Sequence, residues 1–131
     1  VPAETPLSGN RGPGWPVQAI VGSIVEFIDA RLREDEQLAR AVDGERRTWR
    51  FESGDGSVRA GTQHPVATAD RSAGPHIARY DPEQVLREVL AKRLIITLAQ
   101  LPDDDRRRDR LLRCIALCWA DHADYRQEWV L

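Results

Sequence analysis

The sequence predicts an α+β fold: an N-terminal helix, a small antiparallel β-meander, then two further helices and a short C-terminal turn or helix. Three observations lead there. Residues 81–101, DPEQVLREVLAKRLIITLAQL, join a well-marked helix start to the densest apolar content of the chain. Residues 48–70 alternate apolar and polar side chains with period two and are broken by Gly-containing turns, as short strands are. Residues 23–42 and 105–118 each repeat apolar positions at three- and four-residue spacing, which is helical.

The first of these stretches is the expected centre of the fold. Asp81 can cap, Pro82 suits the first helical position, and Gln84 stands three residues after Asp81 as a capping-box partner. Val85, Leu86, Val89 and Leu90 share one face, while Glu83, Arg87, Glu88 and Lys92 share the other as i,i+4 ion pairs. From Leu94 onward the helix is apolar almost all round, so it should be covered on more than one side.

A chain of 131 residues suits one small domain, expected over residues 22–131, in which folding hides about two-thirds of the unfolded surface. A net charge of −2 gives the whole chain no electrostatic footprint for nucleic acid or an anionic membrane. The one early apolar run, AIVGSIVEFI, is short and carries Glu26, so no membrane span or signal peptide is read and a cytoplasmic protein is expected.

In chain order, residues 1–21 crowd Pro and Gly without periodicity and read as an irregular, dispensable leader. Ser23 and Glu26 form a capping box that opens a helix running to about Val42, where Asp43-Gly44 stops it. Its apolar stripe is Ile24, Val25, Ile28, Leu32 and Ala39, with Asp35 falling on the same stripe. TWRFE, SVRA and PVAT are the expected strands, with Trp49 and Phe51 facing the core. Gly54-Asp55-Gly56 is read as a turn, because no GK[ST] and no helix follow to make a phosphate loop. The run DDDRRRDR is a solvated start to the last helix, acidic residues first as the helix dipole prefers. Cys114 and Cys118 share an arc there with Leu111 and Ile115 and are read as buried small side chains, since the second pair needed for structural zinc is missing. Tyr125 and Trp129 should anchor the tail.

Three blocks, RLREDEQ, HIARYDPEQVLREVLAKR and LLRCIALCWADHADYRQEW, resemble an uncharacterised actinobacterial family of small proteins marked by HIAR-x-DP and ADH-x-DY-x-x-EW. The resemblance covers about Val21 to Trp129. Many members carry a Cys/His-rich insert before the last helix; here LPDDDRRRDR stands in its place, so no zinc role of that insert is carried over. Where relatives often have Pro in the final block, this chain has Cys118 and Ala123. The resemblance implies a fold grouping and no activity.

Three sets of polar or aromatic residues remain as candidate chemistry. Asp35 and Arg93 lie within the apolar arcs of two helices and should meet, either as a buried structural ion pair or as the floor of a polar pocket. His76, Asp81, Asp121, His122 and Asp124 offer nitrogen and oxygen donors that could hold a divalent metal, although their spacing matches no ligand motif. Tyr80, Tyr125, Trp119 and Trp129 are expected to anchor the core rather than stack a ligand. Two functions follow. The first is a small regulatory or protein-interaction protein without catalysis, which could use the apolar surface of LIITLAQL for a protein partner or a second copy. The alternative is a metal-assisted enzyme, such as a hydrolase, with His76, His122 and Asp35 as ligands and Asp121 or Glu36 as general base. Nucleic-acid binding ranks below both.

Overall fold

The computed structural model describes residues 17–102 and 104–131, with side chains from Ser23 onward. It is an α+β protein. In chain order come α1 (Val17–Arg40), a 3-10 turn, three strands β1 (Trp49–Glu52), β2 (Ser57–Ala60) and β3 (His64–Thr68), then α2 (Ala73–Arg79), α3 (Pro82–Ala99), α4 (Asp105–Ala116) and two short 3-10 turns. These form two compact units, Ala30–Leu98 and the two ends of the chain, residues up to 29 and from 99. Helix α1 contributes to both. Among the described residues, no helix is long and apolar enough to cross a membrane.

Helix α1 begins at Val17, not at Ser23. The apolar spacing explains this: Val17, Ile20, Ile24, Phe27 and Ile28 continue one three-and-four pattern upstream of the capping box, so Ser23 becomes an interior residue. Of the expected leader, residues 17–21 are thus helical, and the rest lies outside the described residues. Helix α1 ends at Arg40, where the Arg47 guanidinium donates to the carbonyls of Val42 at 2.8 Å and Arg40 at 3.2 Å. That contact satisfies carbonyls left without helical partners and sets where the chain turns toward β1.

In the Ala30–Leu98 unit the strands form an antiparallel meander in the order β1-β2-β3. Trp49 pairs with Ala60 and Phe51 with Val58, and the β2–β3 register slips between Val58 and Arg59. Pro65 sits in β3, an edge strand, where proline is tolerated. Gly56, at φ +72°, makes the turn into β2 that side-chain-bearing residues resist. Helix α2 is an element that the sequence reading passed over; Pro75 is tolerated because it lies in the first turn. Gly74 lets α2 lie directly on β1, since a Cβ at that position would overlap the Phe51 ring.

One buried carboxylate joins the sheet to α3. Asp81 accepts the Gln84 backbone N–H at 2.8 Å, as a helix cap should, and also accepts the Trp49 backbone N–H of β1 at 3.0 Å. The Glu83 N–H adds a bond to the Arg47 carbonyl at 3.2 Å. The start of α3 is therefore stitched to the chain entering β1. Leu32, Ala39, Val58, Ala60 and Val89 are the buried apolar residues of this unit.

In the other unit α4 is capped by Asp104, which accepts the Arg106 N–H at 2.9 Å, and carries the pairs Asp105–Arg108 and Asp109–Arg113 at 2.9 Å each. The acidic-then-basic run is a helix start, as read. Leu112, Ile115 and Ala116 are buried, but Cys114 and Cys118 are exposed, which corrects the expectation for both thiols. The buried arc is centred on Leu112, Ile115 and Ala116, so residues 114 and 118 turn outward. Phe27 is ringed by Trp119, His122, Tyr125 and Trp129, with centroids 5.0 to 6.5 Å away, and Trp129 is only 2 % exposed. Three of the four aromatic anchors named from sequence thus close on a single phenylalanine.

Candidate functional site

A groove of about 350 Å³ opens within the Ala30–Leu98 unit. Leu38 and Ala39 from the last turn of α1, with Val42 just beyond it, form one wall, and Pro82, Val85 and Val89 from the start of α3 form the other. Trp49 and Tyr80 complete the apolar lining, while Asp35, Glu88 and Lys92 supply the charges. The lips are bare: Leu38 is 74 % exposed and Tyr80 53 %.

Local sequence explains why this groove is held open. Trp49 is pinned twice, its indole N–H donating to the Arg46 carbonyl at 2.8 Å and its backbone N–H to Asp81. The cap at Asp81 places Pro82, Val85 and Val89 one helical turn apart along the opposite wall. Tyr80, last before the cap, leans its ring on His76 with centroids 4.9 Å apart. Glu88 accepts the Gln84 side-chain amide at 3.2 Å.

Beside the groove the two helices are bridged by an ion pair, and its acid is Glu36: Arg93 Nη2 lies 3.1 Å from Glu36 Oε1. Glu36 also receives Arg40 at 3.2 Å. The hydrogen bond from Arg93 and then that from Arg40 hold the Glu36 carboxyl below the usual range. The bridge expected from Asp35 is thus made one residue further on, and Asp35 lines the groove. The Arg93 side chain is 38 % exposed, so this is a partly solvated bridge rather than a buried pair.

The metal candidates fall in both units. His76 is exposed on α2 in the Ala30–Leu98 unit, whereas His122 belongs to the other unit, half-buried against Phe27. His122 works locally: its Nδ1 accepts the Asp124 N–H at 3.0 Å, and its carbonyl accepts the Tyr125 N–H at 3.0 Å. Asp81 is the cap described above, and Asp121 is exposed in the turn after Trp119. Among the described residues, no three His, Cys, Asp or Glu side chains gather as a group that could hold a metal ion.

Sequence reasoning missed Leu38, Val42, Trp49 and Tyr80 as groove residues. Trp49 carried a signal, since alternation in β1 marks it as apolar-facing, but alternation cannot distinguish a filled core from an open groove. Leu38 carried none, because it stands off the apolar stripe of α1.

The fold and groove define a small α+β protein with an apolar and aromatic groove in its Ala30–Leu98 unit. The chain belongs to a family of unknown function (DUF6221), whose model matches residues 21–131. No curated protein and no solved structure matches the chain.

Proposed function

We propose that this chain is a small protein-interaction protein that works without catalysis, and that its groove receives the apolar face of a short helical segment of a partner protein. The carrying observation is a preformed apolar groove between two helices whose lips, Leu38 and Tyr80, are exposed to solvent. Large apolar side chains flanking a concavity mark binding surfaces. Trp49 is fixed before any partner arrives, which lowers the ordering cost of association. A groove walled by two helices suits an amphipathic helix, and about 350 Å³ holds roughly two large apolar anchors. Two rim carboxylates against one ammonium favour basic residues beside those anchors.

Selection of a displayed random 12-residue peptide library against the full chain, followed by calorimetry on synthesised peptides, tests this. The expected consensus has apolar anchors at i and i+3 or i+4 with a neighbouring Lys or Arg. Affinity should fall at least about tenfold for Leu38→Glu, a substitution whose exposure spares the fold. Peptides that bind Leu38→Glu as well as wild type, or no peptide tighter than about 100 μM, would overturn the reading.

A further inference from the structure

Helix α3 has two apolar faces, and the structure covers only one. Val85 and Val89 turn toward the groove and the unit's interior. At about 100° per residue the stripe of Leu90, Leu94 and Leu98 is centred about 160° away from them, so Leu90, expected from the sequence on the face of Val85 and Val89, lies on the exposed side instead. These three are 59 %, 56 % and 65 % exposed, and Ile95 beside them is 41 % exposed. An apolar stripe at i, i+4 and i+8 is more than scattered surface leucine.

We infer that this stripe is a two-fold dimer face, on which a second copy of the chain lays its own α3 antiparallel with Leu94 on the axis. The spacing is self-complementary: Leu94 meets Leu94, and Leu90 of each copy meets Leu98 of the other, as a closed two-fold contact requires. Charge points to the same occupant. Lys92 and Arg93 stand between Leu90 and Leu98 in sequence but turn off the stripe, Lys92 to the groove and Arg93 to Glu36, so the stripe itself is uncharged. Arg87 bounds it at the N-terminal end and, in this arrangement, falls just past Ala99 of the second copy. There the last carbonyls of α3 carry partial negative charge, and the last turn contains no basic residue of its own. A parallel pair would instead set the two Arg87 side chains side by side.

The area sets the strength. The four exposed side chains offer about 400 Å² per copy, or roughly 800 Å² for the pair, less than a standard permanent interface. The dimer is therefore weak and concentration-dependent. It lies on the face of α3 opposite the groove and does not rest on the peptide-binding reading.

Sedimentation equilibrium of the full chain from about 10 to 500 μM tests the inference. Wild type should show a reversible monomer–dimer equilibrium, and Leu94→Glu should raise the dissociation constant at least about tenfold with an unchanged thermal midpoint. Oxidative cross-linking then tests the geometry, in a Cys114→Ser, Cys118→Ser background because both native thiols are exposed. Leu94→Cys should cross-link to itself, and Leu90→Cys should do so only when mixed with Leu98→Cys. A wild type that stays monomeric at 500 μM, a Leu94→Glu variant that dimerises as well as wild type, or self-cross-linking of Leu90→Cys equal to that of Leu94→Cys would overturn it.

Discussion

Replacing Asp81 by alanine should be among the most damaging single changes outside the aliphatic core, because one side chain is doing two jobs. Its Oδ1 caps α3 through the Gln84 N–H at 2.8 Å, and loss of a cap costs about 0.5 to 2 kcal/mol. Its Oδ2 accepts the Trp49 N–H at 3.0 Å, and stranding a partly buried backbone donor costs about 1 to 3 kcal/mol. Together the expected loss is about 1.5 to 5 kcal/mol, which for a chain of this size lowers the thermal midpoint by roughly 6 to 20 °C. Asp81→Asn should fall between alanine and wild type, since the amide keeps one acceptor oxygen and turns a donor toward the other N–H. Urea unfolding followed by helical circular dichroism measures the loss. Hydrogen exchange locates it: the Trp49 and Gln84 amides should exchange faster, while Arg106, capped by Asp104 in the other unit, should not. A loss below about 0.5 kcal/mol for Asp81→Ala would refute the idea that this carboxylate joins the sheet to α3.

Two other predictions concern charge. The Ser57 hydroxyl, and after it the Arg59 guanidinium, hold the Asp55 carboxyl at about 2 from its ordinary 3.8. Because the folded value is depressed, the stabilisation is complete above about 3.8 and lost as pH falls through about 2. Carboxyl NMR should show Asp55 titrating near 2 and moving upward in Ser57→Ala; titration at the ordinary value in wild type would exclude the turn network. For Glu36 and Arg93, a double-mutant cycle with Glu36→Gln and Arg93→Gln should give a coupling of only about 0.2 to 1 kcal/mol, as partial exposure screens the pair. A coupling above about 2 kcal/mol would mean that the bridge behaves as a buried one.

The elements that were legible in the sequence are those set by local rules. The α3 start follows from Asp81, Pro82 and Gln84; the meander follows from alternation and Gly turns; the α4 start follows from carboxylates ahead of arginines. What failed depends on competition between rules. The Ser23–Glu26 box is a sound cap signal, yet the apolar spacing from Val17 onward outweighs it and carries α1 further back. Cys114 and Cys118 lie within reach of an apolar arc, but only packing chooses its centre, and that choice turned both thiols outward. Two polar residues singled out in the sequence have structural work: Asp81 is the cap that grips β1, and His122 accepts a backbone N–H beside Phe27.

The site was less legible for a reason that α3 makes plain. An amphipathic helix declares its buried face, because polar residues mark the rest. Helix α3 is apolar on opposite sides, so its sequence states that two faces need cover without saying which neighbour supplies it. The fold buries Val89 and leaves Val85 at the edge of a groove, while Leu90, Leu94 and Leu98 remain in solvent. One wall of the groove and the exposed leucine stripe both belong to that one helix. The groove exists because Trp49 is tied to Asp81 and so is held where α3 begins; the stripe exists because nothing in the Ala30–Leu98 unit reaches the far side of α3. A helix built with leucines on a face its own unit leaves bare carries a cost in water that a polar residue would avoid, and that cost is the physical ground for the proposed association.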